Sequence, residues 1–241
     1  MKAMVLAAGF GKRLRPITLD KPKPLVRVAD RTLLDRALDQ LALGGVREAV
    51  VNAHYLGDQI IAHADASNHA VSIQISDERD QVLETAGGII RALPSLGTEP
   101  FISINADTFW VDGPGGASAI KKLIDVFDAD TTDILLLVCK PKIAIGHSGG
   151  IDFEFADDSK LTRASDEASG YTYAGVAMLH PRIFDGAVAK PHSLNVYFDR
   201  AIEAGRLRGV ELTNAFWYTV STPQSLMDVE AHLRANGDMP I

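Results

Sequence analysis

Up to about residue 140 the chain alternates short apolar runs with longer segments whose apolar residues recur at helical spacing. That alternation admits few architectures other than a mainly parallel sheet with helices packed on it. The apolar runs predict strands at Ala3–Ala8, Glu48–Asn52, Val71–Ser76, Phe101–Asn105 and Ile134–Cys139. Between them, Leu33, Leu34, Ala37, Leu38 and Leu41 follow a Thr32 cap, and Ile120, Leu123, Ile124 and Phe127 repeat the pattern. Both stretches predict helices lying on the sheet.

After about residue 145 the texture changes. Glycine-punctuated, polar-alternating segments at Gly149–Phe155, Lys160–Ala164 and Tyr171–Leu179 predict antiparallel strands, and helices follow near Asn195–Ala204 and Pro223–Ala235. No internal repeat, low-complexity stretch or separating linker interrupts the 241 residues. One domain over 1–241 is expected, with a first half of about 1–140 and a second of about 141–241 that extends the sheet and closes over a ligand.

Charge narrows the ligand. The first thirty residues carry seven basic side chains against Asp20 and Asp30, a net +5, which leaves −12 for the remainder of a chain whose total is −7. A broadly acidic surface repels a nucleic-acid backbone, whereas a compact basic patch holds a small polyphosphate. Nucleic acid is therefore not an expected partner. The one cysteine, Cys139, ends the run Ile134-Leu-Leu-Leu-Val-Cys139 and reads as a buried small hydrophobe. Basic residues follow the short apolar start, the reverse of a secretory signal, and no run reaches membrane-spanning length. A cytoplasmic protein is expected, a monomer or small homo-oligomer.

The predicted first strand runs into Gly9-Phe-Gly11-Lys12-Arg13-Leu14-Arg15-Pro16, placing a small-residue loop at the carboxyl end of a strand, where open α/β sheets bind ligands. Small residues let backbone N–H groups approach phosphate oxygens. The spacing excludes a Walker loop, which needs Gly-x4-Gly-Lys-Ser/Thr. It also excludes a Rossmann turn, whose third glycine would fall at Leu14.

The run Leu6-Ala7-Ala8-Gly9-x-Gly11-x-Arg13-Leu-x-Pro-x-Thr18, followed by Lys21-Pro-Lys23-Pro-Leu25, resembles the signature of the sugar-1-phosphate nucleotidyltransferase family. The likeness continues through Glu84-Thr85-Ala86-Gly87-Gly88, Asn105-Ala106-Asp107 and Tyr173-Ala174-Gly175, in family order along most of the chain. It implies a Rossmann-like mixed, mainly parallel sheet flanked by helices, of the nucleotide-diphospho-sugar transferase (GT-A-like) type, with a small antiparallel sugar-binding part. It implies a reaction in which a sugar phosphate oxygen attacks the α-phosphorus of a nucleoside triphosphate and pyrophosphate leaves. The nucleophile is ionised at neutral pH, so no general base is required, and catalysis reduces to alignment and charge stabilisation.

Within that resemblance, Leu6, Ala7, Ala8, Gly9, Gly11, Lys12 and Arg13 cradle the triphosphate. Arg13 holds the β- and γ-phosphates with its forked donors, and Lys23 bridges the α-phosphate and the incoming sugar phosphate. Asp107, beyond the strand Phe101–Asn105, ligates a Mg²⁺ ion, and otherwise suits the N-cap of the next segment. Gly87 and Gly88 are expected to let the nucleoside lie against the backbone, with Glu84, Thr85 and Asn105 beside it. Asp152, Tyr173, Gly175 and Asn195 are the expected sugar contacts, although Asn195 also suits a helix cap.

Many members of the family carry Trp-x-Asp-x-Gly-Thr-Pro near the carboxyl end, the Asp being a second metal ligand. This chain reads Trp217-Tyr-Thr219-Val-Ser-Thr-Pro223. Asp152 and Asp112 are candidate replacements. Trp110 and Trp217 suit either the sugar pocket or the core. His54, His63 and His69 lack metal-ligand spacing and read as packing or solvated residues.

The short length, Asn52-Ala-His-Tyr-Leu-Gly57, Ser76-Asp-Glu-Arg79 and Gly149-Gly-Ile-Asp-Phe153 are most similar to the branch that joins UTP to N-acetylmuramic acid 1-phosphate in cell-wall recycling. The alternatives are guanylyl transfer to mannose or heptose 1-phosphate, transfer to phosphocholine, and a silent nucleotide-sugar binding protein.

Overall fold

The computed structural model describes residues 1–66, 68–113, 118–157, 159–166 and 168–236. In chain order its strands are β1 (Lys2–Leu6), β2 (Arg27–Val28), β3 (Arg31–Thr32), β4 (Glu48–Ala53), β5 (Ser72–Asp77), β6 (Phe101–Asn105), β7 (Thr108–Asp112), β8 (Ile134–Cys139), β9 (Ala144–Ile145), β10 (Phe153–Asp157), β11 (Lys160–Arg163), β12 (Thr172–Leu179), β13 (Leu207–Glu211) and β14 (Ala215–Thr219). The helices are α1 (Leu33–Leu43), α2 (Gly57–Ala66), α3 (Glu84–Leu96), α4 (Ala119–Val126), α5 (Asn195–Glu203) and α6 (Pro223–Ala235).

Nine strands form one sheet in the order β10-β11-β13-β8-β12-β6-β1-β4-β5. β1 pairs in parallel with β4 and β6, β4 with β5, and β13 with β8. β12 enters between β6 and β8 and runs antiparallel to both. β10–β11 and β11–β13 are antiparallel too, so the sheet is mixed, with four parallel and four antiparallel pairings and seven of its nine strands running in one direction. A second small sheet, β7-β14-β9, stands beside it.

Strands buried on both faces divide the core. On one face α1 and α4 lay Leu34, Leu38, Leu41, Ile120 and Leu123 against Val5, Val51 and Ile104. On the other, Ile89 and Ile90 of α3 and Tyr197 and Phe198 of α5 meet Met4, Phe101 and Leu136. A third cluster joins Leu14 and Val28 to Phe109, Tyr218 and the α6 residues Val229 and Leu233, tying the first loop to the carboxyl end. Cys139 is buried, and burial pushes its thiol up to about 12. Trp110 and Trp217 are core residues, the latter donating its indole N–H to the Ala174 carbonyl at 2.9 Å.

Several boundaries and elements differ from the sequence expectation. β1 stops at Leu6 because the Ala7 N–H turns from the ladder to the Asn52 side chain at 2.6 Å. The Gly149–Phe155 segment becomes a strand only from Phe153. α2 and α3 fill stretches with no predicted helix, and β7, β13 and β14 were not predicted as strands. α3 was hidden by Gly87, Gly88 and Pro94, residues of poor helix propensity that tertiary packing overrides here.

Candidate active site

A cavity of about 420 Å³ opens where β1, β4 and β6 end. Its wall is formed by Leu6, Ala7, Ala8 and Gly9 from the first loop, by Asn52, by Glu84 and Thr85 at the start of α3, and by Asn105 and Asp107. Lys23 and Pro24 line it as well. A smaller cavity of about 210 Å³ adjoins it, sharing Leu6, Thr85, Asn105 and Ser193 and adding Asp152, Tyr173, Asn195 and Phe198.

The two expected ionic groups meet. Lys23 Nζ donates to Asp107 Oδ2 at 2.5 Å, and both residues line the larger cavity. The loop geometry behind this contact is local. Gly11 has φ +61°, a conformation that costs glycine little, and a Cβ there would lie 3.0 Å from Lys23 Cβ and 3.1 Å from Thr18 Cγ2. The Thr18 hydroxyl donates to the Gly11 carbonyl at 2.8 Å. The first loop therefore folds back on the Lys23 segment, itself a short helical turn, Lys23–Leu25, set off by Pro22 and Pro24.

Lys12 and Arg13 lie on the next turn, Lys12–Leu14, and line neither cavity. Lys12 Nζ sits 5.0 Å from the centre of the Phe10 ring. Arg13 is exposed and makes no hydrogen bond or ion pair among the described residues, a cation on the loop's outer turn ready for an anion.

Beneath the loop runs a relay that the sequence did not disclose. The Ala7 N–H donates to Asn52 Oδ1, and Asn52 Nδ2 donates to Glu78 Oε1 at 3.0 Å. Asn52 and Glu78 are buried, and Glu78 Oε2 has no partner among the described residues. Burial drives the Glu78 carboxyl up to about 7, against the opposing pull of the Asn52 bond and the Arg91 charge. Asn52 and Glu78 both stand in runs that carry the resemblance, but nothing in the sequence shows that the two side chains meet.

Gly87 and Gly88 line neither cavity. A Cβ on Gly87 would lie 2.3 Å from the Lys190 carbonyl oxygen, and one on Gly88 would lie 2.8 Å from Asn52 Nδ2 and 2.9 Å from Glu78 Oε1. They let α3 pack against the 190s segment and the buried relay. Gly175 also lines neither cavity: it has φ +78°, and its missing Cβ leaves room for Thr108 Oγ1 and Asn105. Asn195 is the first residue of α5 and gives no cap bond, the cap position being Leu194. The Leu194 N–H instead donates to Thr85 Oγ1 at 2.8 Å, which couples the start of α3 to the smaller cavity.

Asp152 accepts from the Tyr173 N–H at 2.8 Å, so both hold fixed positions in the smaller cavity. Thr219 lies opposite Thr108 in the β14–β7 ladder, and the next residue, Val220, donates its N–H to the Asp107 carbonyl at 3.2 Å. The position at which the resemblance implies a second carboxylate thus carries a hydroxyl, one residue before the backbone bond to Asp107. Asp112 borders a different cavity, with Lys140 and Asn214. His63 and His69, apart in sequence, converge with Asp35 outside both cavities.

A loop at the ends of parallel strands, a lysine–aspartate pair in the cleft and a second adjoining cavity define a nucleotide-handling transferase site. The chain belongs to the nucleotidyl transferase family, whose model matches residues 2–236. It is 38% identical to the N-acetylmuramate alpha-1-phosphate uridylyltransferase of Caulobacter vibrioides over 96% of each chain. It is 36% identical to the protein of the same name from Neisseria meningitidis serogroup B, over 96% of this chain and 97% of that one. In fold it is similar to UDP-glucose pyrophosphorylase solved with UDP-glucose, with a TM-score of 0.78 over 98% of both chains at 15% identity.

Proposed function

We propose that this protein transfers the uridylyl group of UTP to N-acetylmuramic acid 1-phosphate, releasing pyrophosphate and forming the nucleotide sugar, as a cytoplasmic enzyme of cell-wall recycling. The observation that carries the reaction class is the Lys23–Asp107 pair lining the larger cavity directly beside a second one. That arrangement suits a nucleotide and a sugar phosphate meeting at a shared boundary. The choice of uridylyl and N-acetylmuramate rests on the names of the relatives that match almost end to end.

The chain's own groups supply alignment and charge. Lys23 draws the α-phosphate and the attacking phosphate together, which a compact, mobile ammonium does well. Arg13, free of intramolecular partners among the described residues, holds the outer phosphates and the departing pyrophosphate. The backbone of Ala7 to Gly9 approaches the phosphates closely because no large side chain intervenes. Asp152, Tyr173 and Asn195 receive the sugar.

The donor set fits a Mg²⁺ ion. Mg²⁺ is commonly held by one or two carboxylates together with substrate phosphates and water. Asp107 provides one carboxylate, with Thr219 adding no charge beside it. When bound, the ion would neutralise phosphate charge. Restoring the carboxylate as Thr219→Asp is expected to lower the Mg²⁺ concentration for half-maximal turnover several-fold. An unchanged titration would remove Thr219 from the metal site.

The decisive experiment crosses four nucleoside triphosphates with N-acetylmuramic acid, mannose and heptose 1-phosphates and phosphocholine, read by pyrophosphate release. UTP with N-acetylmuramic acid 1-phosphate is expected to give the highest kcat/KM. Preference for GTP with mannose or heptose 1-phosphate would make it a guanylyltransferase. Tight nucleotide binding with no turnover across the panel would make it a silent binder.

A further inference from the structure

We propose that Asp35, His63 and His69 form a site for one borderline transition-metal cation, with Zn²⁺ as its occupant, apart from the catalytic cavity. His63 Nε2 and His69 Nε2 converge on the same oxygen, Asp35 Oδ1, at 2.7 and 3.0 Å. The three potential ligand atoms all lie within 4.8 Å of one another. None of the three residues lines either cavity of the active site.

The donors come from three segments. Asp35 is in the first turn of α1, its N–H fixed by the Thr32 hydroxyl at 3.0 Å, while His63 is in the last turn of α2 and His69 precedes β5. This convergence explains why no ligand spacing was visible along the chain: the fold, not one helix or one turn, assembles the set. Two imidazoles and one carboxylate form a nitrogen-rich set that suits Zn²⁺, Co²⁺ or Ni²⁺ far better than Mg²⁺ or Ca²⁺.

Tetrahedral Zn²⁺ with bonds of about 2.0–2.1 Å separates its ligand atoms by about 3.3 Å. The His63 and His69 contacts of 2.7 and 3.0 Å therefore lengthen by about 0.6 and about 0.3 Å to admit the ion. Side-chain exposures of 27% at His63 and 11% at His69 leave access for the metal and for a water in the fourth position. Asp39 Oδ1 lies 3.9 Å from His69 Nδ1, beyond hydrogen-bond reach, and adds negative charge beside the set while Arg31 grips it through contacts of 2.5 to 3.1 Å. The ion would tie α1 to α2 and to the segment entering the edge strand β5, a structural staple rather than a catalytic centre.

The test strips tag-free protein with a chelator and titrates it, at neutral pH with Mg²⁺ in excess, with Zn²⁺ against a chromophoric indicator. A parallel titration with Co²⁺ follows the visible absorption that a four-coordinate site gives. One equivalent of Zn²⁺ is expected to bind with micromolar or tighter Kd, with intense Co²⁺ bands and a raised thermal midpoint. His63→Gln, His69→Gln and Asp35→Asn should each weaken binding at least tenfold, and Asp107→Asn should leave it intact. Wild-type protein that takes up no stoichiometric Zn²⁺ overturns the proposal, whatever the variants do. So does binding that survives both histidine substitutions, or that disappears with Asp107→Asn.

Discussion

Lys23 and Asp107 neutralise each other in the absence of substrate, and a polyphosphate entering the cavity must share or replace that contact. Arg13→Ala and Asp107→Ala are each expected to lower kcat by at least about a hundredfold, the usual size of losing one aimed charge in a transition state. Lys23→Ala should do the same. Because Lys23 and Asp107 touch, the double variant should lose much less than the product of the single losses, which steady-state kinetics will show. Near-normal turnover in Arg13→Ala would remove it from the reaction. Glu78 makes a different prediction at the same scale. Its carboxyl is raised to about 7, so the fold favours the neutral form. The stabilisation that Glu78 contributes is thus complete below the ordinary carboxylate range and is lost as pH rises through about 7. The urea midpoint of wild type should fall over that interval, and Glu78→Gln, which keeps an acceptor for Asn52, should flatten the profile.

At the scale of elements, what the sequence disclosed was what one segment decides for itself. β1, β4, β6 and β8 are short apolar runs, and α1 has an apolar stripe and a cap, so each was legible without its neighbours. Lys23, Asp107, Asp152 and Tyr173, singled out by the resemblance, line one or other of the two cavities. What was hidden depends on partners distant in sequence. Gly87 and Gly88 look like loop residues, yet they sit inside α3 because the Lys190 backbone and the Asn52–Glu78 relay come too close for side chains. Gly87→Ala is expected to cost about 1–3 kcal/mol, since a backbone carbonyl cannot step aside like a side chain. The same substitution should raise KM for the sugar phosphate, because displacing the Lys190 segment disturbs Ser193 and Asn195. Chemical denaturation and substrate titration of one preparation test both effects. A variant as stable as wild type would mean that the helix packs elsewhere.

At the scale of the whole molecule, strands from both halves share one sheet. β12, from the second half, completes the sheet between β6 and β8 of the first, and β13 flanks β8 on its other side. Calorimetry is expected to show a single unfolding transition for the full chain. Two separated transitions would divide it into domains. Charge acts at this scale too. A net +5 over the first thirty residues within a molecule of −7 focuses attraction for a triphosphate on one region. Raising salt from about 50 to about 300 mM, which shortens the screening length, should therefore lower kcat/KM for the nucleotide more than kcat.

The position of β12 also bears on how the polypeptide is made. As it leaves the ribosome, β6 can pair with β1 as soon as Phe101–Asn105 has emerged, but its other edge waits for Thr172–Leu179. β8 emerges with no partner at all, since both β12 and β13 are synthesised after it. Through much of translation the nascent chain therefore presents the edge of Phe101-Ile-Ser-Ile and the wholly apolar Ile134-Leu-Leu-Leu-Val unpaired, the kind of segment that chaperones capture and that aggregates when they are scarce.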